Sequence, residues 1–400
     1  MGRLWYACGV LLVIAMMLGA ATGLGLLAVK AVDGIDFSLQ KVSGWTAPDD
    51  PQLQPEPPGS PWNPIFLSNA TLPTPRWGTS AVWIGDYALI FGGTNLTTRF
   101  DDVLRYDPVR DEIITMQSRF PTGLASSAAV QVGDHAFIFG GFTATDTYSD
   151  QIYRYDPSTD ILETAKSVLP HPVTSSSAVW TGDKVILFGG YNEAIVEPAI
   201  LIYDPIADTI APSNASFPRP WVLDPRGLSI ATASWDGNYA YVLGGYSPRG
   251  WTAQVLRYDP QLDQIEYLPR SGSDWLVEPW TGTGSFDGQG ALPSRMGYAP
   301  SLWDGQQLLI FGGSLYRSQT GSEAQATDGI LSFRPDNRVV AMTDLRLPSP
   351  LSGASAAWSG HVGFLFGGGN GTTQSDQVVV YAPDSASREA MLAQIGRSNA

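Results

Sequence analysis

The side chains best suited to chemistry lie between residues 219 and 328. Glu278 and Asp287 could act as a general acid or base, and Arg295 follows closely enough in sequence to hold an anionic group beside them. Metal chemistry has little support, because the single cysteine is Cys8 and the three histidines lack zinc-ligand spacing. No Gly-x-Ser-x-Gly nucleophile motif occurs. We therefore expect no metal and no cofactor. If the protein is an enzyme, these residues allow acid–base catalysis.

Aromatic and arginine side chains, most of them in the same region, are candidates for ligand binding. Such residues commonly anchor protein interfaces and sugar-like ligands. Three of the arginines lie seven to nine residues before a tryptophan that ends a predicted strand, and salt bridges to neighbouring loops are an alternative role for them. The tryptophans could instead form a small core beneath a long loop. The predicted ligand-binding residues are Arg76, Trp221, Arg226, Arg249, Trp251, Trp275, Trp280, Arg295, Tyr316 and Arg317.

A glycine pattern that occurs six times defines the elements carrying these residues. In each copy a glycine lies seven residues before a Gly-Gly pair, as in Gly182 and Gly189-Gly190. Apolar runs on both sides of the first glycine predict a β-hairpin. An aromatic residue and a proline two positions later follow each pair, as in Tyr203-Asp204-Pro205, and predict a third strand and a type I turn into a fourth. Each copy is therefore a four-stranded meander of about 50 residues, which buries both faces only within a ring.

The Phe/Leu-Gly-Gly endings, the downstream aromatic residue and the Trp-Gly hairpin resemble kelch repeats over roughly residues 64–383. The resemblance implies an all-β fold, a six-bladed kelch-type β-propeller of four-stranded blades. No fourth strand follows the sixth aromatic residue, whereas residues 65–73 match the missing strand. We therefore predict that this N-terminal strand pairs into the sixth blade and closes the ring. The propeller is assigned to residues 63–383, and a short helix and tail to residues 384–400.

Some kelch-like propellers are enzymes. A copper radical oxidase of the galactose oxidase type requires a cysteine–tyrosine cross-link and histidine ligands, which Cys8 and the scattered histidines do not provide. A better candidate resembles the kelch-fold sialic acid mutarotases, whose metal-free acid–base chemistry Glu278, Asp287 and Arg295 could support. We expect a binding or scaffolding protein rather than an enzyme, and a metal-independent carbohydrate epimerase is the alternative.

Departures from the repeat spacing indicate the binding face. The distance from a third-strand aromatic residue to the next first-strand tryptophan is commonly 25 residues, but it is 32 from Tyr203 to Trp235 and 45 from Tyr258 to Trp303. The fifth copy is also longer between its second and third strands. In an up-and-down meander these connections emerge on the same face. We therefore predict that loops over blades four and five bind a protein or glycan ligand.

The N-terminal segment predicts attachment to a membrane. Residues 4–29 carry no charge, and as a helix they would span about 39 Å, more than the hydrocarbon core of a bilayer. We predict a transmembrane signal-anchor within residues 1–30 and a Pro-rich acidic linker over residues 31–62. The flanking charges favour a cytoplasmic N-terminus and an extracytoplasmic propeller. A cleaved signal peptide, which would make the protein secreted, is the alternative, and the mass of the mature chain would distinguish the two.

The overall charge limits the classes of partner, and short motifs indicate candidate modification sites. The net charge of −15 argues against nucleic acid as a partner. Four Asn-x-Ser/Thr sequons are candidate glycosylation sites in a host that glycosylates its proteins. They begin at Asn69, Asn95, Asn214 and Asn370.

Overall fold

The computed structural model describes residues 63–95, 97–193, 195–217, 227–248, 250–268, 291–316, 324–387 and 389. The chain divides into the units Met1–Asn63 and Pro64–Ala400, and every described residue except Asn63 belongs to the second unit. Strands dominate this unit. Helical backbone, within the described ranges, is limited to residues 385–387 and 389, at the start of the predicted C-terminal helix.

The predicted anchor and linker, residues 4–29 and 31–62, lie outside the described residues. Among the residues that are described, no helix is both long and apolar enough to cross a membrane.

Six four-stranded antiparallel sheets make up most of the fold, and we number them 1 to 6 in chain order. In sheets 1 to 5 the four strands follow one another along the chain. Sheet 1 contains Ser80–Ile84, Tyr87–Phe91, Asp102–Asp107 and Glu112–Arg119; sheet 2 contains Ala128–Val132, His135–Phe139, Gln151–Asp156 and Ile161–Val168; sheet 3 contains Ser177–Trp180, Val185–Phe188, Ala199–Asp204 and Thr209–Ser216. Sheet 4 contains Thr232–Trp235, Ala240–Leu243, Val255–Asp259 and Gln264–Tyr267; sheet 5 contains Ser301–Trp303, Leu308–Phe311, Gly329–Arg334 and Val339–Arg346.

Sheet 6 takes its outer strand from the other end of the chain. Its first three strands are Ser355–Trp358, Gly363–Phe366 and Gln377–Tyr381, and the fourth is Ile65–Thr71. Ile65 is paired with Tyr381 and Leu67 with Val379. This is the pairing predicted for residues 65–73, and we call Ile65–Thr71 the closing strand.

The end of each sheet where the second strand runs into its Gly-Gly pair is here called the Gly-Gly face, and the opposite end the turn face. Small strands lie at the Gly-Gly face. They are the pairs Leu124–Ala125 with Phe142–Thr143 and Tyr246–Ser247 with Gly250–Trp251, and the triple Arg295–Gly297, Ser314–Tyr316 and Ala324–Ala326. Tyr381 pairs on one side with Gly363, the first residue of the second strand of sheet 6, and on the other side with Ile65. The closing strand therefore begins at the turn face.

The second strands are buried on both sides, as their apolar sequences require. Every residue of Val185–Phe188 and Leu308–Phe311 is buried, because each sheet packs against two others. The apolar core consists of separate clusters, each between consecutive sheets, and the series includes one cluster between sheet 6 and sheet 1. The all-β architecture is as predicted and is consistent with a kelch β-propeller.

A cycle of six backbone hydrogen bonds joins the sheets at the Gly-Gly face. A residue two or three positions before each first strand donates its N–H to the carbonyl of the equivalent residue in the preceding sheet, at 2.7 to 3.3 Å. All six residues have φ between 53° and 68°, a region that disfavours side chains and β-branched ones most. The cycle therefore compensates for backbone strain. We call these residues the belt: Gly78, Ser126, Ser175, Ile230, Tyr298 and Gly353.

A second set of contacts joins the outer strands through aspartate side chains. In sheet 2 the Tyr155 hydroxyl donates to Asp160 Oδ1 at 2.9 Å, and Asp160 Oδ2 accepts the backbone N–H of Gln117 in sheet 1 at 2.7 Å. The same contact pattern occurs at Asp111, Asp208 and Asp263. In sheet 5 the equivalent turn position is occupied by Arg338 instead. These aspartates therefore join sheet 6 to sheet 1 and each of sheets 1 to 3 to the sheet that follows it.

Candidate binding surface at the Gly-Gly face

The residue directly after each Gly-Gly pair lies beside the belt. Antiparallel bridges join Thr174 to Tyr191 and Ser229 to Tyr246, and Ala125 pairs with Phe142 in the same way. In sheets 2, 3 and 4 this position is aromatic. The glycine pairs have positive φ and fit against neighbouring backbone, so they fix the direction in which the following residue leaves the strand.

Aromatic rings from several sheets meet around these positions. Trp251 stacks on Tyr316 with ring centroids 3.5 Å apart and an interplanar angle of 7°, and Tyr246 packs edge-on against Trp251 at 5.2 Å. Tyr298 lies 6.0 Å from both Trp251 and Trp77. A second group, Phe142, Tyr148 and Tyr191, has successive centroid distances of 5.2 and 6.1 Å. We call these eight residues the aromatic cluster.

Burial shifts the pKa values of several tyrosines in the aromatic cluster. Burial raises the pKa of Tyr191, and the neighbouring Tyr246 raises it further. Burial also raises the pKa of Tyr298, with Tyr191 adding to the effect, and raises that of Tyr148 to about 12. Among the residues that the structure describes, the buried hydroxyl of Tyr191 has no hydrogen-bond partner. A buried, unpaired hydroxyl is unusual in a folded protein and is a feature to be explained by a ligand or by water.

Two glycines leave room for the tryptophans of the cluster. A Cβ atom on Gly353 would lie 3.0 Å from the Trp77 ring, and one on Gly297 would lie 2.6 Å from the Trp251 ring. Trp77 therefore extends over the belt position of sheet 6 to reach Tyr298 of sheet 5. Both contacts depend on the absence of a side chain at these glycines.

Two basic side chains described at this face, Arg99 and His171, contact carboxylates. Arg99 contacts Asp146 at 2.8 Å and lies over the Phe142 ring at 4.0 Å. His171 Nδ1 lies 2.8 Å from an oxygen of Glu197, a largely buried carboxylate whose other oxygen accepts the N–H of Ala199. Among the described residues, no group of three or more His, Cys, Asp or Glu side chains is arranged to hold a metal ion.

Arg76, one of the predicted ligand-binding residues, is only 1% exposed. Its guanidinium donates to Asp102 at 2.6 Å and to the carbonyl of Gly92 at 3.0 Å, and it stacks over Phe100. The salt-bridge role is the one observed, although the carboxylate belongs to the same sheet rather than to a neighbouring loop. Arg76 holds the start of the first strand against the third and is not available to a ligand in this conformation.

The other predicted site residues are only partly described. Trp251 and Tyr316 are brought together in the aromatic cluster, and Arg295 lies on the strand paired with Tyr316, where it has a partner of its own. The remainder lie outside the described residues: Trp221, Arg226, Arg249, Trp275, Trp280, Glu278, Asp287 and Arg317. The epimerase hypothesis depends on the two carboxylates in that group. Sequence reasoning missed Trp77, Phe142, Tyr148, Tyr191, Tyr246 and Tyr298, although the position after a Gly-Gly pair was a usable signal for three of them.

The sequons fall into two structural types. The side-chain amides of Asn69 and Asn214 each donate to an interstrand aspartate at 3.1 Å. Asn95 and Asn370 instead accept the N–H groups of the two threonines in an exposed turn. The first type therefore has a structural role independent of any glycan.

Two comparisons with known proteins both find similarity to kelch proteins. The family described as the KLHDC2/KLHL20/DRC7 Kelch-repeats domain matches residues 60–190. A "Kelch domain-containing protein" of Archaeoglobus fulgidus is 32% identical over 82 residues, which is 20% of this chain. The match spans only 23% of that relative's own length.

Proposed function

We propose that the chain binds a protein partner through the aromatic cluster, as the match of residues 60–190 to a Kelch-repeats domain suggests. The observation that supports this most directly is that eight aromatic rings from different sheets converge at one face. Tyrosine and tryptophan combine large apolar area with few rotatable bonds and a polar group, and they are enriched at binding hot spots. The sheets supply the rigid support that such a surface needs.

We also propose that the six sheets are the blades of a closed six-bladed propeller. The cycle of belt hydrogen bonds and the apolar cluster between sheets 6 and 1 support this arrangement. In a closed ring the first strands surround a central channel, and the belt would then encircle its mouth at the Gly-Gly face. The aromatic cluster would lie at that mouth, where a partner's protruding loop can enter.

The proposed setting is the outer side of a membrane, with residues 4–29 as an uncleaved anchor. The basis is the length and lack of charge of that segment and the acidic linker after it. Within the described unit the chain enters at the turn face, so the attachment point and the aromatic cluster belong to opposite ends of the sheets.

Site-specific photo-crosslinking in the native host tests the proposed binding face. The photoreactive residue p-benzoyl-phenylalanine would replace Phe142 or Tyr148 in the aromatic cluster of the full-length chain. Matched controls would carry it at Met342, an exposed outer-strand residue, or at Ile206, which is 90% exposed at the turn face. We expect a defined crosslinked partner from the cluster positions only. The same partner at all four positions, or crosslinks from the control positions alone, would contradict the proposal.

A further inference from the structure

An exposed turn follows the Gly-Gly pair of sheet 6, and it contains Asn370 and Gly371, the one Asn-Gly dipeptide of the sequence. The N–H of Asn370 closes the turn by donating to the carbonyl of Thr373 at 3.1 Å. Next to it, Gly369 forms an antiparallel bridge with Ser352, the residue before the belt position of sheet 6. The turn therefore lies at the Gly-Gly face, beside the belt.

The side-chain carbonyl of Asn370 accepts several hydrogen bonds within this turn. Its Oδ1 accepts the N–H groups of Thr372 and Thr373, both at 2.9 Å, and their hydroxyls at 2.8 and 3.1 Å. Donors that converge on a carbonyl oxygen stabilise the negative charge that develops there when a nucleophile attacks the carbon. Within the described part of the chain, Nδ2 of Asn370 has no hydrogen-bond partner that would hold it in place.

The backbone nitrogen of Gly371 is the nucleophile next to this carbonyl along the chain. Gly371 has φ of 94°, and a Cβ atom added to it would meet nothing within 4 Å. Glycine has no side chain to shield its nitrogen or to restrict the changes in φ and ψ that bring this nitrogen to Cγ of the preceding residue. Once deprotonated, the nitrogen can attack Cγ of Asn370 and close a five-membered succinimide ring.

We propose that Asn370 is a site of spontaneous deamidation in the folded protein. The Gly371 nitrogen loses its proton to hydroxide and bonds to Asn370 Cγ, the Cγ–Nδ2 bond breaks, and Nδ2 takes a proton from water and leaves as ammonia. Water then opens the succinimide, either at Cγ to give aspartate or at the backbone carbonyl to give isoaspartate. The conversion consumes water and releases ammonia, and no group is oxidised or reduced.

Isoaspartate at position 370 would alter the turn and its connection to the belt. It lengthens the backbone by a methylene group and replaces a neutral amide with a carboxylate. The carbonyl of Gly369 accepts the N–H of Ser352 at 2.8 Å, and Ser352 precedes Gly353, on which Trp77 packs. A displacement of the turn would therefore reach the part of the belt that supports Trp77.

Sheet 1 contains a matched control in the equivalent turn. The N–H of Asn95 donates to the carbonyl of Thr98 at 2.9 Å, and Oδ1 of Asn95 accepts the N–H groups of Thr97 and Thr98 at 3.0 and 2.7 Å. The residue after Asn95 is Leu96, whereas Asn370 is followed by glycine. A leucine side chain shields the backbone nitrogen and narrows the backbone conformations open to it. We therefore expect Asn95 to keep its amide.

Peptide mapping of the full-length chain by mass spectrometry, after incubation at about pH 6 and about pH 8, tests the proposal. We expect a mass gain of about 1 Da at Asn370, at a rate at least about tenfold that at Asn95. Conversion should be faster at the higher pH, because the nitrogen attacks in its deprotonated form. Isoaspartate is identified by an isoaspartyl carboxyl methyltransferase with S-adenosylmethionine, which leaves ordinary aspartate unlabelled.

Exchanging the two following residues tests the role of the glycine. Gly371→Leu should protect Asn370, and Leu96→Gly should make Asn95 reactive, with the melting temperature of each variant reporting that it is folded. The proposal is overturned if Asn370 keeps its amide as long as Asn95 does, if Gly371→Leu converts at the unmodified rate, or if conversion occurs only after unfolding in urea. A glycan on Nδ2 of Asn370 in the mature protein would also overturn it, because that nitrogen could then not leave as ammonia.

Discussion

Asp160 shows how a single side chain holds two sheets together. Its carboxylate accepts the N–H groups of Gln117 and Ser118 at 2.7 and 3.3 Å and the hydroxyl of fully buried Tyr155 at 2.9 Å. Replacing Asp160 with alanine leaves these donors without an acceptor. We expect the free energy of unfolding to fall by about 2–3 kcal/mol, mainly because the Tyr155 hydroxyl stays buried and unpaired. Urea denaturation followed by tryptophan fluorescence would measure the change.

The matched control for Asp160→Ala is Arg338→Ala. Arg338 occupies the equivalent turn in sheet 5 with φ of 60°, close to the 53° of Asp160, so the backbone strain of an alanine is nearly the same in both variants. Arg338 carries no carboxylate that could join two sheets. We expect Arg338→Ala to cost clearly less than Asp160→Ala. Equal losses in the two variants would show that the turn conformation, and not the aspartate contacts, provides the stability.

At the scale of the element, the aspartate contacts between outer strands make stability depend on pH. Burial alone would raise the pKa of Asp208, but the N–H of Lys166 and the Tyr203 hydroxyl stabilise the carboxylate, and the net pKa is lowered. Asp263 behaves alike: burial is outweighed by hydrogen bonds from Ser213 and Asn214, so its pKa is also lowered. Their contribution is therefore present in full above the unfolded-state pKa of about 4 and is lost as pH falls through the folded-state pKa.

Unfolding measured between pH 7 and pH 3 tests this dependence. The double variant Asp208→Asn/Asp263→Asn should be less stable than the unmodified chain at pH 7, and the difference should shrink below about pH 4. Asp86→Asn/Asp134→Asn changes the net charge equally at two exposed turn positions and serves as the control. If the control pair shows the same pH-dependent difference, general charge repulsion rather than the outer-strand contacts is responsible.

The strands themselves could be predicted from sequence, because each depends on neighbours nearby in the chain. The hairpin around Gly182 was predicted from its apolar runs, and Ser177–Trp180 and Val185–Phe188 form it. The aromatic cluster could not be predicted in the same way. Trp77 meets Tyr298 from more than 200 positions away, and only the tertiary fold brings them together. Arg76 illustrates the same limit, since its type suggests a ligand site while its position beside Asp102 buries it.

The aspartates that join the outer strands form a pattern that is visible in the sequence. Each lies five residues after the third-strand tyrosine in four copies, as Asp160 does after Tyr155. A carboxylate in a turn usually indicates only a solvated position, so the spacing alone does not reveal a contact between sheets. Its meaning depends on the neighbouring outer strand, whose backbone N–H groups supply the donors.

At the scale of the whole molecule, the closing strand determines whether the sheets form one cooperative unit. Ala70 and Leu72 are buried in the apolar cluster shared by sheets 6 and 1, and Ser68 donates to Asp111 of sheet 1. Deleting residues 63–73 removes these contacts together with the strand pairing to Gln377–Tyr381. It exposes a buried strand edge and opens the cycle of packed sheets at one point.

We expect this deletion to lower the melting temperature by on the order of 10 °C and to broaden the transition, because several kilocalories per mole of packing and pairing are lost at one junction. Differential scanning calorimetry of the full-length chain and the variant would measure both effects. Deleting residues 45–55, an equally long part of the Pro-rich segment, is the control and should leave the transition of the sheets unchanged. A 63–73 deletion that melted like the full-length protein would mean that sheet 6 is stable with three strands. The closing strand would then be an accessory to sheet 6 and not a strand that its stability requires.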